Sequence, residues 1–216
     1  MKARVWVVGS IALVIGAVVA LLYYSQSSEK DVPVGKQSPS TSSFAVGQSP
    51  AFGNMMSRVV VVEWFDPECE GCRAIHPIFE KIISDYSDQV HFVLRYMPFH
   101  KNSLYAASVL EEARELGKFK EALDILFEKQ PEWASHRAPR PDLIPTYLEK
   151  LGIPKEKLER SYVTQKHGAK IKRDEDEGLK AGVRATPTFF VNGQQLPELG
   201  DQPLRAAINR ALSQGK

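Results

Sequence analysis

Two cysteines, Cys69 and Cys72, carry the most distinctive chemistry in this sequence because only two residues separate them. They are the only cysteines in the chain of 216 residues, so neither can close a long loop by pairing elsewhere in it. Thiols at this spacing can form a small redox-active disulfide, hold a metal ion through two thiolates, or simply pack in a core. The residues around the pair have to distinguish these possibilities.

The pair lies where a predicted strand gives way to a predicted helix. Val59–Phe65 is rich in β-branched and aromatic residues, which favours a buried strand. From Cys69 to about Tyr86 the apolar residues recur at helical spacing. The first N–H groups of a helix are unpaired and partly positive, so a thiolate at Cys69 would have its pKa lowered from about 8.5 to roughly 3.5–7.5. Cys69 is therefore predicted to be the attacking thiol, and Cys72, one turn further into the helix, the resolving thiol.

The other predicted elements indicate an α/β domain in which several helices are inserted between an N-terminal half and a C-terminal half. His91–Met97 is the second predicted strand, and the order strand, helix, strand indicates a βαβ unit with parallel strands. Several helices follow, and the charged run Lys172–Glu177 in the last of them is predicted to face solvent. The final predicted elements are a strand at Thr188–Val191, a hairpin turn at Asn192-Gly193 and a closing helix at Asp201–Leu212.

A long apolar run near the N-terminus predicts a membrane anchor. Val5–Tyr24 contains no charged residue and has the ~20 residues that a helix needs to cross a bilayer. Lys2 and Arg4 precede it, which places residues 1–4 in the cytoplasm and the rest of the chain outside it. The run exceeds the ~7–15 apolar residues of a signal peptide and no A-x-A cleavage site follows, so an uncleaved anchor is favoured over a cleaved signal.

A polar tether is predicted between the anchor and the folded domain. Residues 25–52 are rich in Ser, Pro, Gly and Gln, which is typical of a flexible linker, and the domain is expected to begin at residue 53. The remaining composition is ordinary for a globular protein, with 43% hydrophobic and 25% charged residues in the whole chain. A formal net charge of +2 is too small to indicate nucleic-acid binding.

Several motifs around the cysteines resemble the active site of the DsbA-like thiol:disulfide oxidoreductases, which have the thioredoxin fold. Glu63 lies six residues before Cys69, where the family keeps a buried carboxylate. Pro77 lies five residues after Cys72, where the family's active-site helix has a proline. The other matches are the Arg184–Thr188 loop, which resembles the family's cis-proline loop, the strand and turn Phe189–Gly193, and the entry to the family's helical insertion at Pro98–His100.

The resemblance implies a thioredoxin fold, with a central mixed sheet flanked by helices and a DsbA-like helical insertion. The implied parts are a first half at residues 53–100 with the cysteine pair, the insertion at 101–180, and a second half at 181–216 with the cis-proline loop. The resemblance also implies a protein disulfide oxidoreductase that needs no metal and no cofactor besides the Cys69–Cys72 disulfide.

The resemblance also implies roles for residues near the pair. Glu63, with a pKa raised by burial, would take the proton of Cys72 when that thiol resolves a mixed disulfide; the alternative is a strand glutamate that faces solvent. Thr186 and a cis Pro187 would present backbone groups to an extended substrate segment; the alternative is a trans proline in a turn. His100 is expected only to cap or to pack.

The dipeptide between the cysteines departs from the family's best-known members. It is Glu70-Gly71, where those members have Pro-His or Gly-Pro. The negative charges of Glu70 and Glu68 oppose a thiolate on Cys69 and make the disulfide less oxidising, by roughly 20 mV for each exposed charge. This is too little to decide between an oxidase and a reductase or isomerase, so the direction stays open.

Together, the anchor and the resemblance imply a single-pass protein of a bacterial inner membrane with its catalytic domain in the periplasm. The expected partners are exported proteins with thiols or disulfides and a membrane protein that restores the redox state of the pair. The chain is expected to be a monomer and to bind no nucleic acid.

Two other functions are compatible with the cysteine pair. Cys69 and Cys72, with His76 one turn further on, could hold Cu(I), so a membrane-tethered copper chaperone is the main alternative. Structural zinc needs four ligands, and no second C-x-x-C or H-x₃-H motif supplies them. A non-catalytic binding module with an idle pair is the third interpretation.

Overall fold

Five strands form one mixed sheet in the computed structural model, which describes residues 49–214. The strands are β1 (Ala51–Gly53), β2 (Val60–Phe65), β3 (His91–Tyr96), β4 (Thr188–Val191) and β5 (Gln194–Gln195). Their order across the sheet is β1-β3-β2-β4-β5. Strands β2 and β3 run parallel, and the other neighbouring pairs are antiparallel. The predicted mixed sheet, βαβ unit and hairpin are therefore confirmed.

Seven α-helices surround or extend from this sheet within residues 49–214. They are α1 (Glu70–Tyr86), α2 (Ser103–Glu115), α3 (Phe119–Glu128), α4 (Gln130–Trp133), α5 (Ile144–Leu148), α6 (Arg160–Ala181) and α7 (Asp201–Gln214). Helix α1 connects β2 to β3, and helices α2 to α6 lie between β3 and β4, where the helical insertion was expected. A 3-10 turn, Lys155–Leu158, precedes α6.

The N-terminal predictions fall mostly outside the described residues. The anchor at residues 5–24 and the tether up to residue 48 are not part of the described structure. No helix within residues 49–214 combines the length and the apolar composition needed to cross a membrane. Strand β1 was not predicted, and it begins two residues before the expected start of the domain at residue 53.

Strand β2 lies at the centre of the fold because both of its faces are covered. All six of its residues are buried. Successive side chains of a strand point to opposite faces, and accordingly Val61 and Phe65 join the large core with α1, whereas Val62 and Trp64 join a smaller core with Met97. Residue 63 therefore shares the face of Val61 and Phe65.

The prediction that Lys172–Glu177 faces solvent is wrong for one residue. Asp174 is buried, and its carboxylate accepts hydrogen bonds from Arg95 Nε at 2.7 Å and from the backbone N–H of Tyr96 at 3.2 Å. Its backbone carbonyl accepts the indole N–H of Trp64 at 3.2 Å. A helix turns one side of any such run towards its neighbour, and Arg95 on β3 provides the partner that lets a carboxylate be buried there.

Replacing Gly178 with Ala should destabilise the protein, because α6 approaches Trp64 closely at this residue. An added Cβ would lie 2.5 Å from Trp64 Nε1 and 3.1 Å from Met97 Sδ. Overpacking of this kind costs about 1–3 kcal/mol. Thermal unfolding should show a melting temperature lowered by several degrees. Gly168→Ala on the same helix is the matched control: its Cβ would meet no atom within 4 Å, so it should raise the melting temperature slightly because alanine favours helix. Equal effects of the two variants would contradict a close contact at Gly178.

Candidate active site

Cys69 is the residue that precedes helix α1, and its sulfur faces the helix N-terminus. Its backbone is extended, with φ −80° and ψ 124°, and its side chain is half-buried. The pKa of Cys69 is lowered to about 5, mainly by a hydrogen bond from the Cys72 side chain and further by Thr186 and by the backbone N–H groups of Cys72 and Gly71, against the effect of partial burial. Cys69 is thus a thiolate at neutral pH.

Cys72 has the opposite properties, although it lies one turn away. Its side chain is only 1% exposed. Burial raises its pKa well above the ordinary value, and the hydrogen bond to Cys69 and the charge of Glu63 act in the same direction. The backbone N–H of Asp66 also donates to its sulfur at 3.4 Å. The reduced pair therefore consists of one thiolate and one thiol that stabilises it.

Glu63 is buried on the β2 face that packs under α1, and not exposed to solvent. It is 5% exposed, and burial raises its pKa to about 8, with a further contribution from the charge of Cys69. Its charge in turn raises the pKa of Cys72. A carboxyl group with a pKa near neutral, close to a thiol that must lose its proton, can act as that proton's acceptor.

The loop before β4 brings Thr186 and Pro187 against the cysteine pair. The Thr186-Pro187 peptide bond is cis. The carbonyl oxygen of Thr186 lies 3.2 Å from Cys69 Sγ. Gly71 completes the contact, because a Cβ at this residue would lie 3.3 Å from Pro187 Cδ and 3.5 Å from Cys69 Sγ. The predicted site residues are therefore brought together around one sulfur atom.

The two glutamates that flank Cys69 are engaged by residues of the insertion. Glu70 is half-exposed and forms an ion pair with His136 at 2.7 Å. Its pKa is lowered, first by its own backbone N–H and then by His136. Glu68 is buried and accepts hydrogen bonds from the backbone and side-chain N–H groups of Asn102, at 2.6 and 3.1 Å. The sequence indicated their opposition to the thiolate but not these partners, which lie more than 30 residues away in the chain.

Asp66 is a central residue of the site that the sequence analysis missed. Its buried carboxylate accepts hydrogen bonds from the backbone N–H of Phe99 at 2.9 Å, from His100 Nδ1 at 2.7 Å and from the hydroxyl of Ser103. These bonds join the loop after β2 to the loop after β3. No local sequence pattern marks such an aspartate, since its partners become neighbours only because β2 and β3 are parallel.

His100 does more than the capping or packing expected of it. Partial burial opposes its charged form, but the hydrogen bond and charge of Asp66, followed by the charge of Cys69, raise its pKa overall. The charge of the Cys69 thiolate is thus one of the groups that favour the protonated form of His100.

No cysteine belongs to a group of three or more potential metal ligands within residues 49–214. The two groups of three potential ligands within residues 49–214 are His76, Glu80 and Asp124, and Glu112, Glu115 and His167, and neither contains a cysteine. His76, which the copper hypothesis placed beside Cys72, instead bonds to Asp124 at 2.8 Å. Lys120 bridges Glu80 and Asp124, so an ammonium group already balances these carboxylates.

Comparisons with known proteins agree on the fold. A family model described as Thioredoxin matches residues 45–210. The crystal structure of α-DsbA1 from Wolbachia pipientis is similar to this chain, with a TM-score of 0.72 and 16% sequence identity. The match covers 82% of this chain and 97% of the Wolbachia chain, so the two share a fold.

Two curated relatives extend the comparison to longer proteins. A protein of Rickettsia prowazekii named as a protein-disulfide oxidoreductase is 29% identical over 74% of this chain and 60% of its own length. The Na(+)/H(+) antiporter NhaA 3 of Salinispora tropica is 32% identical over 63% of this chain. This chain spans only 20% of the antiporter's length and 60% of that of the Rickettsia protein.

The free energy of unfolding of the oxidised protein should fall as the pH rises from 4.5, the ordinary pKa of a glutamate, to about 8, the pKa of Glu63 in the folded state. Its pKa in the folded state, about 8, lies above the ordinary 4.5. The folded protein therefore keeps a proton that the unfolded chain releases, and raising the pH favours unfolding by up to ~1.4 kcal/mol per pH unit. The disulfide form is chosen because Cys69 cannot titrate in it. Burial, the larger cause of the raised pKa of Glu63, is still present in that form.

Glu63→Gln should remove this slope, because glutamine has no proton to lose. The measurement is the free energy of unfolding by denaturant as a function of pH, compared between the wild type and the variant. Glu121→Gln, an exposed replacement on α3, should keep the wild-type slope. Parallel curves for the wild type and Glu63→Gln would show that Glu63 is not protonated in the folded protein.

Proposed function

The chain belongs to the thioredoxin family, and we propose that it is a DsbA-like thiol:disulfide oxidoreductase that exchanges disulfides with other proteins through Cys69 and Cys72. One observation carries the proposal: the two sulfurs are chemically unequal. The pKa of Cys69 is lowered to about 5, whereas that of Cys72 is raised. This inequality favours disulfide exchange, because the accessible, ionised sulfur can attack while the shielded one stays protonated until it resolves the mixed disulfide.

In the oxidising direction, a substrate thiolate attacks Cys69 Sγ of the Cys69–Cys72 disulfide. The S–S bond breaks, Cys72 leaves as a thiolate, and it takes up a proton from the neighbouring Glu63 carboxyl. A second substrate thiolate then attacks the substrate sulfur of the mixed disulfide and releases Cys69. The products are one substrate disulfide and the reduced pair, so two electrons pass from the substrate to the protein.

In the reducing direction, the same steps run backwards. The Cys69 thiolate attacks a substrate disulfide and forms the mixed disulfide. Glu63, once ionised, accepts the proton of Cys72, whose thiolate attacks Cys69 Sγ and releases the substrate. Thr186 and Pro187 would hold an extended substrate segment beside Cys69 in either direction, with backbone groups as the pairing partners.

The low pKa of Cys69 favours the oxidising direction. A thiolate with a low pKa is a good leaving group, so reduced Cys69 is released readily from a mixed disulfide. Stabilising the thiolate also stabilises the reduced pair, which makes the disulfide a stronger oxidant. This supports an oxidant of protein thiols.

The proposed setting is the periplasmic side of a bacterial inner membrane. Its support is the apolar run at residues 5–24 with the preceding Lys2 and Arg4. The substrates would be exported proteins, and a membrane protein would reoxidise the pair. The tether predicted at residues 25–52, which β1 shortens because it begins at Ala51, would let the domain reach substrates away from the bilayer.

Cys72→Ala should trap covalent complexes between Cys69 and substrate proteins, because the thiol that resolves the mixed disulfide is absent. The complexes are measured as reducible high-mass bands after mild oxidation of cells that express the full chain. Cys69→Ala, which removes the attacking sulfur, is the control and should trap none. Equal trapping by both variants, or by neither, would contradict the assigned roles.

The reduction potential of the Cys69–Cys72 couple should be more oxidising than the ~−270 mV of thioredoxin, and displaced towards the ~−120 mV of DsbA. The physical reason is the stabilised thiolate on Cys69. The measurement is the equilibrium between the protein and glutathione over a range of redox buffers. A potential at or below the thioredoxin value would overturn the oxidant assignment and indicate a reductase.

A further inference from the structure

One buried side chain of the insertion reaches the backbone of the active-site loop. Gln130 is the first residue of α4 and is 2% exposed. Its side-chain Nε2 donates to the carbonyl oxygen of Pro67 at 2.9 Å and to that of Cys69 at 3.0 Å. A residue from the insertion, some 60 positions along the chain, thus spans the loop immediately before helix α1.

The orientation of this amide is settled by its partners. Both carbonyl oxygens can only accept hydrogen bonds, so the NH₂ group of Gln130 must face them. Its Oε1 is then buried without a hydrogen-bond partner among the described residues. An unsatisfied buried acceptor is unfavourable, so its presence calls for a specific explanation. The two bonds that the NH₂ group makes to the loop provide one.

The two carbonyl groups belong to the stretch of backbone that carries the Cys69 side chain. The Cys69 carbonyl also accepts the first backbone bond of α1, from Arg73 N–H at 3.1 Å. The Pro67 carbonyl lies one peptide before the Glu68-Cys69 peptide bond. Holding both oxygens fixes the rotation of the backbone on either side of that bond. This rotation aims the sulfur at the N–H groups of Gly71 and Cys72.

We propose that Gln130 is a positioning residue through which the helical insertion holds the Cys69 sulfur at the N-terminus of α1. The proposal deepens the proposed function and rests on it, because it concerns the same attacking sulfur. Without the two bonds, the Pro67–Cys69 loop can rotate and draw the sulfur away from its N–H donors. The thiolate would then lose stabilisation, and the disulfide would become a weaker oxidant.

The test is Gln130→Met in the full-length chain. Methionine is similar in length and is apolar, so it removes both donors without adding charge. The pKa of Cys69, measured in the reduced protein by the ultraviolet absorbance of its thiolate as a function of pH, should rise by about one unit, a tenfold change in ionisation. The equilibrium constant with glutathione should shift by a similar factor of about ten towards the disulfide.

Trp133→Phe is the matched control. Trp133 belongs to the same short helix, is fully buried, and donates one hydrogen bond, from Nε1 to the Leu126 carbonyl at 2.8 Å. This bond does not involve the active-site loop. The variant should lower the melting temperature but leave the pKa of Cys69 and the glutathione equilibrium unchanged. A Gln130→Met protein that behaves in the same way would overturn the proposal, because Gln130 would then be only structural.

A second variant tests the proposal in case Gln130→Met fails to fold. Gln130→Asn stays polar but is one methylene shorter, so it cannot reach both carbonyls, and its Cys69 pKa should rise in the same direction. An unchanged pKa in this variant would also overturn the proposal. The pKa measurement needs no substrate, so failure of Cys72→Ala to trap substrates would count against the proposed function while leaving the role of Gln130 separately testable.

Discussion

This site depends on one constraint: of three neighbouring acidic groups, only the sulfur of Cys69 carries negative charge at neutral pH. Glu63, Cys69 and Cys72 influence each other's ionisation: the charge of Cys69 raises the pKa of Glu63, and the charge of Glu63 raises that of Cys72. Burial is the largest cause of the raised pKa of both Glu63 and Cys72. Cys69, only half-buried and facing the start of α1, has enough hydrogen-bond donors to stay ionised.

The central strand places these groups relative to water. Because side chains alternate along β2, Glu63 falls on the face that also carries Val61 and Phe65, and helix α1 covers that face. Burial of the Glu63 carboxyl group on that face is the main reason why its pKa rises so far. Helix α1 begins within a few residues of the end of β2. The two cysteines therefore lie close to the strand that carries Glu63.

The helical insertion contributes to the same site through buried polar contacts. Asp66 accepts hydrogen bonds from the segment that enters the insertion, and Glu68 accepts one from the backbone N–H of Asn102. Gln130 donates a hydrogen bond to the carbonyl of Pro67, which lies between them. Burying so many polar atoms is unfavourable unless they are paired with each other. Their mutual pairing therefore joins the active-site loop to the insertion.

Local patterns in the sequence were sufficient to predict the chemistry and much of the architecture. The strand-to-helix junction at Cys69, the βαβ order and the hairpin before the last helix follow from hydrophobic period and turn residues, which are local properties. The resemblance added the burial of Glu63 and the cis peptide bond before Pro187, and the structure has both. Strand β1 was missed, since three residues next to a Ser- and Pro-rich segment carry too little pattern to mark a strand.

Contacts between distant segments were decided only by the tertiary structure. Asp66 with His100, Glu68 with Asn102, Asp174 with Arg95, and Gln130 with the Cys69 carbonyl join residues at least 34 positions apart. A polar residue in a sequence gives no sign of whether it will be buried, because its burial depends on a partner supplied by another element. The sequence thus predicted which sulfur would be ionised, whereas the packing of the insertion against the sheet determined the polar contacts that surround it.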